Sequence, residues 1–154
     1  MTAAMMSGPP GSVFFSALPD APRPAAKDYI QFAVTDSAPR WSREFTARFL
    51  APVPPEAAGT AVQVVSELTA NAVQAARCLD HRSAVGLSLR LFRDHLIAEV
   101  IDSSPAVPVL SGPASPLADH GRGLHVVDAL TPGRWGWFRW PSSGRKVAWG
   151  RLAI

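Results

Sequence analysis

Two alternating segments, AVGLSLRLFR at 84–93 and HLIAEVID at 95–102, constrain the fold of this chain more than any other feature. Apolar residues take every second position in both segments, and this is the period of a β-strand with two different faces. Only a tight turn at Arg93-Asp94 separates them, so the segments are predicted to pair as an antiparallel hairpin. The apolar face of such a hairpin must be covered by other parts of the chain.

Two segments with helical spacing precede the hairpin and can supply that cover. Ser37 is a predicted N-cap, and the apolar residues after it recur at helical spacing (Trp41, Phe45, Phe49 and Leu50). A longer helix is predicted over 56–77. Further strands are predicted at 28–35, 134–140 and 146–154, with a short helix starting at 121. This order predicts an α+β fold, a two-layer sandwich with helices on one face of a mostly antiparallel sheet.

The length of 154 residues suits one domain, and composition divides the chain further. Residues 1–26 are rich in Pro, Gly, Ala and Ser, so we expect a flexible tail followed by a folded domain over 27–154. A second such stretch, 103–119, lies inside the domain and is predicted to be a functional lid or disordered. Cys78 is the only cysteine, which excludes an internal disulfide.

The lack of targeting signals and the distribution of charge indicate which partners to expect. The sequence has no apolar run long enough for a membrane span and no signal peptide, so we expect a cytoplasmic protein without a membrane partner. The formal charge is +3, and the basic residues are scattered rather than massed with aromatic residues. We therefore expect no nucleic-acid partner, although a basic DNA-binding regulator stays open as an alternative.

The long predicted helix carries two polar residues beside its apolar stripe, Glu67 and Asn71. At about 100° per residue, Asn71 falls roughly 40° from Glu67, and both lie at the rim of the stripe rather than opposite it. On spacing alone, a solvated Glu and an ordinary helix Asn are the simpler explanation. Because Asn is an indifferent helix former, its position inside the helix also raises the question of a ligand.

Two later features give that question more weight. Asp102 ends the second strand of the hairpin, where the chain leaves the sheet, and Gly121 and Gly123 stand at the start of the short helix. Glycines let a backbone approach a ligand closely, and amides at a helix N-terminus favour anions such as phosphate.

With these three motifs, ELTANA at 67–72, EVIDSSP at 99–105 and GRGLHVV at 121–127, the chain resembles the GHKL ATPase superfamily. It looks most like the anti-sigma-factor serine kinases, and among them the short ATP-binding regulators of actinomycetes. The resemblance spans residues 28–152 and implies the Bergerat fold, with ATP and Mg²⁺ as cofactors.

The resemblance also implies a role for each matching residue. Glu67 would be the catalytic general base, and Asn71 would hold the Mg²⁺ that bridges the ATP phosphates. Asp102 would accept a hydrogen bond from the adenine amino group. The phosphates would face a glycine segment formed by four residues (Gly121, Arg122, Gly123 and Leu124).

The implied function is that of an ATP-dependent protein serine kinase that sequesters a sigma factor and phosphorylates an anti-anti-sigma (STAS) antagonist, with a homodimer as an open alternative. The sequence departs from the family pattern at Ser104-Pro105 and at Lys146, where relatives often carry glycines and a threonine near adenine. These departures keep a second hypothesis open, namely a catalytically degenerate nucleotide-binding or protein-interaction module in transcriptional regulation.

Overall fold

The structure, a computed structural model, describes residues 22–77, 83–108 and 122–154. Most of the predicted tail, Cys78 and most of the stretch 103–119 lie outside the described residues, so the expectations about them stay predictions. The elements, in chain order, are β1 (Ala26–Ala33), α1 (Ala38–Phe49), α2 (Pro55–Ala76), β2 (Ala84–Leu91), β3 (His95–Asp102), α3 (Arg122–Leu130), β4 (Trp135–Arg139) and β5 (Lys146–Ala153).

The five strands form one sheet in the order β1-β2-β3-β5-β4, and every neighbouring pair is antiparallel. The predicted α+β class with helices on one face of an antiparallel sheet is confirmed. Because β5 inserts between β3 and β4, the first residue of β5 lies beside the last residue of β3. That register makes Lys146 the cross-strand partner of Asp102.

The main core fills the space between one face of the sheet and the helices. The strands contribute alternate residues, such as Leu87, Leu89 and Val100, and α2 contributes the stripe predicted from its period. Complete burial of a Val or Leu side chain stabilises a fold by roughly 1.5–3 kcal/mol, so this stripe fixes α2 on the sheet. No helix within the described ranges is both long enough and apolar enough to cross a membrane.

The start of α1 differs from its prediction. Ser37 occupies the predicted N-cap position, but its side chain makes no capping hydrogen bond. The reason is backbone geometry: Ser37 has φ −82° and ψ −14°, whereas a capping residue normally adopts an extended conformation. Pro39 lies in the first turn instead, where its missing N–H would have had no partner within the helix.

The second face of the sheet carries a polar pair among apolar residues. Nη2 of Arg90 donates to Oε1 of Glu99 at 2.9 Å, and both side chains are buried. A small apolar cluster lies nearby, formed by Phe138, Val147 and Trp149. In the described part of the chain the three helices all pack on the opposite face, so this pair belongs to the sheet rather than to the helix layer.

Candidate functional site

The exposed edge of α2 has the arrangement that its period predicts. Val64 and Leu68 are buried on the core side, while Gln63 is exposed. Glu67 and Asn71 are half-buried between these two sides. Their side chains are one helical turn apart, about 5–6 Å, so both can reach a single bound molecule.

The carboxylate of Glu67 lies against the start of α3. A Cβ placed on Gly123 would be only 2.8 Å from Oε2 of Glu67, so the carboxylate would have to move to make room for it. The absence of a side chain at 123 therefore gives the carboxylate its place. The structure thus brings together Glu67 and Gly123, which are 56 positions apart in the sequence.

Asn71 borders a cavity of about 200 Å³, together with its neighbours on α2, Gln74 and Ala75. The opposite side of the cavity consists of Lys146 and of the chain that follows β3 (Ala106, Val107 and Pro108). Pockets for drug-sized ligands span roughly 300–1,000 Å³, so this cavity has room for a small group such as a nucleobase. The described residues that line it include two amides and one ammonium group.

Asp102 is fully buried and does not line the cavity. It contacts Lys146, which does. Its Oδ2 lies 3.3 Å from Nζ of Lys146, and its Oδ1 accepts a hydrogen bond from the backbone N–H of Ser104 at 2.7 Å. Oδ2 is buried and accepts no well-directed hydrogen bond from the described residues, because the 3.3 Å contact with Lys146 is poorly aligned. The pair is therefore close but incompletely satisfied.

Burial acts on the two charges of this pair in opposite directions. It raises the pKa of Asp102 above its ordinary value of 3.8, although the ammonium of Lys146 and the N–H of Ser104 offset part of the effect. Burial also lowers the pKa of Lys146 below 10.5, against the attraction of Asp102. Both shifts favour the neutral forms, so the charged pair carries a desolvation cost.

The chain that follows Asp102 is held by two cations of the last two strands. Nη1 of Arg139 donates to the carbonyl oxygen of Ser104 at 3.2 Å, and Nη2 donates to that of Pro105 at 2.7 Å. Nζ of Lys146 donates to the carbonyl oxygen of Ala106 at 2.5 Å. Three successive carbonyl oxygens are thus bound, which fixes the position of this segment beside the cavity.

The remaining predicted site residues lie at the start of α3. Leu124 is buried and is not among the described residues that line the cavity. Arg122 is the first residue of α3. Gly121 lies outside the described residues, so its predicted role at the phosphates stays a prediction.

From the sequence, Lys146 was predicted only to be a departure from the family pattern, and Arg139 was not predicted to lie at the site. Lys146 follows the turn at 141–144 and begins a predicted strand, so its position at a strand end was visible in the sequence. Nothing in the local pattern showed that this strand end lies beside Asp102.

The chain matches a known family over residues 34–132, that of the histidine kinase-like ATPase domain. This range includes Glu67, Asn71, Asp102 and Gly123, and it covers more than half of the chain. The protein therefore belongs to the histidine kinase-like ATPase domain family, and it has a GHKL-type fold whose members bind ATP. A comparison with curated protein sequences finds no match.

Proposed function

We propose that the protein is an ATP- and Mg²⁺-dependent protein serine kinase of the anti-sigma type. The observation that carries the proposal is the placement of Glu67 against Gly123, with Asn71 one turn further along α2 at the cavity. A base and a metal ligand at this spacing can act on the same triphosphate. Membership in the ATPase domain family supports the nucleotide part of the proposal.

The residues present fit a magnesium ion held mainly by phosphates and water. Mg²⁺ prefers oxygen ligands, and the side-chain oxygen of Asn71 at the cavity is one such ligand. No cluster of three His, Cys, Asp or Glu side chains occurs in ranges 22–77, 83–108 and 122–154, so an all-protein cage is not formed by them. When bound, the metal would neutralise charge on the phosphates.

Glu67 would act as the general base of the transfer. The serine hydroxyl of the substrate protein gives its proton to the carboxylate of Glu67 as its oxygen bonds to the γ-phosphorus. The bond between that phosphorus and the bridging oxygen breaks, and ADP leaves. Glu67 is half-buried, which keeps its carboxylate accessible to an incoming hydroxyl while α3 limits its movement.

The proposed partners are a sigma factor, which the kinase binds, and a STAS-type anti-anti-sigma protein, whose serine it phosphorylates. A phosphate on that serine adds about two negative charges to the contact surface and would release the antagonist. A homodimer is part of the proposal as the assembly that presents these surfaces.

A degenerate nucleotide-binding module is the second candidate, and one observation favours it. Lys146 occupies the position beside Asp102, so the carboxylate expected to bind adenine is already paired with a cation. In this alternative the protein controls its partner by binding alone, and Glu67 has no catalytic role.

Titration with a fluorescent ATP analogue, with and without Mg²⁺, tests the metal part of the proposal. The parent protein should bind the analogue about tenfold or more tightly when Mg²⁺ is present, and Asn71→Ala should lose most of that gain, since it removes one oxygen ligand. Gln63→Ala is the matched control because Gln63 is an exposed amide on the same helix. Equal Mg²⁺ dependence in the parent and Asn71→Ala would contradict the assignment.

Glu67→Gln separates the kinase from the degenerate module. Incubation of STAS-type proteins from the same genome with ATP should yield phosphoserine with the parent protein, and Glu67→Gln should lower the rate by about 10²–10⁴. Nucleotide affinity should change little. Partner control that is identical in the parent and in Glu67→Gln, with no phosphoserine from either, would leave only the binding module.

A further inference from the structure

The second face of the sheet, turned away from the helices, is more deeply buried than a two-layer fold explains. Alternate residues of β3 belong to the main core, so Ile97 and Glu99 lie on the second face. Both have an exposed fraction of 1%, and Trp149, the partner of Glu99 on β5, has 3%. The uncovered face of an antiparallel sheet normally carries solvated side chains. This face therefore has the burial of an interior layer.

The neighbouring strands account for only part of this burial. Ile97 lies between Arg90 on β2 and Arg151 on β5, and the stems of two arginines can cover part of an isoleucine. Arg90 is itself buried, with an exposed fraction of 7%, so it is covered as well. Among the described elements, α1, α2 and α3 all pack on the opposite face. The burial thus points to a cover from outside the described ranges.

The N-terminal stretch 1–21 is long enough to reach this face and enters the sheet beside it. A second copy is not required for the burial, because the exposed fractions are those of one chain alone. The stretch continues into β1, the edge strand next to β2. From residue 22 back to Phe15 the chain can span about 23 Å, at roughly 3.3 Å per residue. The distance across the sheet from β1 to β5 is only about 15 Å, at roughly 4.8 Å per strand.

We propose that residues 12–18, SVFFSAL, form a third layer on the second face of the sheet. The segment carries no charged residue, and its apolar side chains include two adjacent phenylalanines, Phe14 and Phe15. The surface that it covers is apolar and aromatic as well, since Phe138 and Trp149 lie there in one cluster. Aromatic rings bury a large area against such a surface. The proposal replaces the flexible tail that composition predicts for these seven residues, and it does not depend on the proposed function.

The first test is digestion of the full chain with chymotrypsin, which cleaves after phenylalanine in segments that are free. Cleavage after Phe14 and Phe15 should be about tenfold or more slower than in a synthetic peptide of residues 1–21, because cleavage requires release of the segment. Phe138→Ser, a change on the covered face, should raise the rate toward that of the peptide. Trp41→Ser is the matched control, since Trp41 is an exposed aromatic residue on α1, and it should keep the protection.

The double variant Phe14→Ser/Phe15→Ser tests the same contact without a change in the sheet, so it stays informative if Phe138→Ser folds poorly. Its melting temperature should be about 5 °C or more below that of the parent, because two buried rings are lost. Met5→Ser/Met6→Ser is the matched control, with two apolar residues replaced outside the proposed segment. Its melting temperature should equal that of the parent.

Two kinds of result would overturn the proposal. The first is cleavage of the parent at the rate of the peptide, or a melting temperature of Phe14→Ser/Phe15→Ser equal to that of the parent. The second is protection that disappears on dilution as the mass from light scattering falls from dimer to monomer. That result would place a second copy of the chain on this face instead.

Discussion

The sheet contains two buried ion pairs that differ in geometry and in surroundings. Arg90 and Glu99 meet at 2.9 Å through a direct hydrogen bond on the second face of the sheet, within two central strands. Lys146 and Asp102 meet at 3.3 Å on the helix face, where two strands end beside a cavity. A direct hydrogen bond joins the first pair, whereas one member of the second pair, Lys146, lines a cavity.

This difference predicts that the first pair acts on stability and that the second also acts on the proposed nucleotide site. Two buried charges that are joined by a direct hydrogen bond interact mainly with each other and with fixed neighbours, so the removal of one acts on stability. In the second pair the ammonium of Lys146 lines the cavity, so it can also donate to a bound group. Four variants test this distinction.

Glu99→Ala should have the largest effect. It removes the carboxylate that accepts from Arg90 while the guanidinium stays buried, and the loss of one partner of a buried pair typically costs about 3–5 kcal/mol. Urea unfolding monitored by circular dichroism at pH 7 gives the free energy directly. A loss below about 1 kcal/mol would mean that the Arg90–Glu99 pair is readily hydrated and that the comparison is wrong.

Lys146→Met should cost less, about 1–3 kcal/mol at pH 7, because Asp102 can take up a proton once its partner is gone. The pKa of Asp102 is already raised in the folded state, so its contribution to stability falls as pH rises from 3.8 through the folded value. Loss of Lys146 raises this pKa further. The deficit relative to the parent should therefore grow between pH 4 and pH 7.

Urea unfolding of the parent and of Lys146→Met at several pH values in that range measures the deficit. A deficit that is constant with pH, or that shrinks as pH rises, would show that the ammonium does not stabilise the charge of Asp102.

The double variant Arg90→Met/Glu99→Leu should recover most of the stability lost in Glu99→Ala, to within about 1 kcal/mol of the parent. Apolar side chains of similar volume avoid the desolvation cost of both charges, and such replacements are often neutral or stabilising. The same urea titration makes the comparison. A double variant as unstable as Glu99→Ala would assign the loss to packing rather than to the unpaired charge.

Glu44→Ala should have the smallest effect, at most about 0.5 kcal/mol. Its partner Arg40 lies one turn away on α1 at 3.1 Å, and both side chains are exposed, so water screens the attraction. Thermal unfolding should shift by no more than about 2–4 °C. A larger shift would indicate that exposure does not govern the strength of ion pairs in this fold.

The spacing of apolar residues predicted the helices and strands well because this spacing depends only on neighbouring residues in the sequence. The strand at 95–102 agrees with β3 to the residue, and the predicted helix over 56–77 differs from α2 by one residue at each end. Glu67 and Asn71 lie at the half-buried rim expected from a turn of about 100° per residue. Ser37 occupies the predicted N-cap position, but its side chain makes no capping hydrogen bond because that bond depends on backbone angles, which residue type alone does not fix.

The ion pairs were missed because they depend on long-range register. Alternation places Arg90 and Glu99 opposite the main apolar face, and that position by itself predicts exposure rather than burial. The pairing of Lys146 with Asp102 requires β5 to lie between β3 and β4, and strand order is not encoded in any local pattern. For the same reason the contact of Glu67 with Gly123 became visible only in three dimensions.

Because Gly123 lies close to Glu67, a side chain introduced at position 123 would change the orientation of the Glu67 carboxylate. Alanine, serine and valine at this position would place side chains of increasing size between α3 and α2. Because the nearest atom is the end of a flexible side chain, each step would first rotate the carboxylate rather than separate the helices. The series would thus change the orientation of the Glu67 side chain in steps without altering its chemistry.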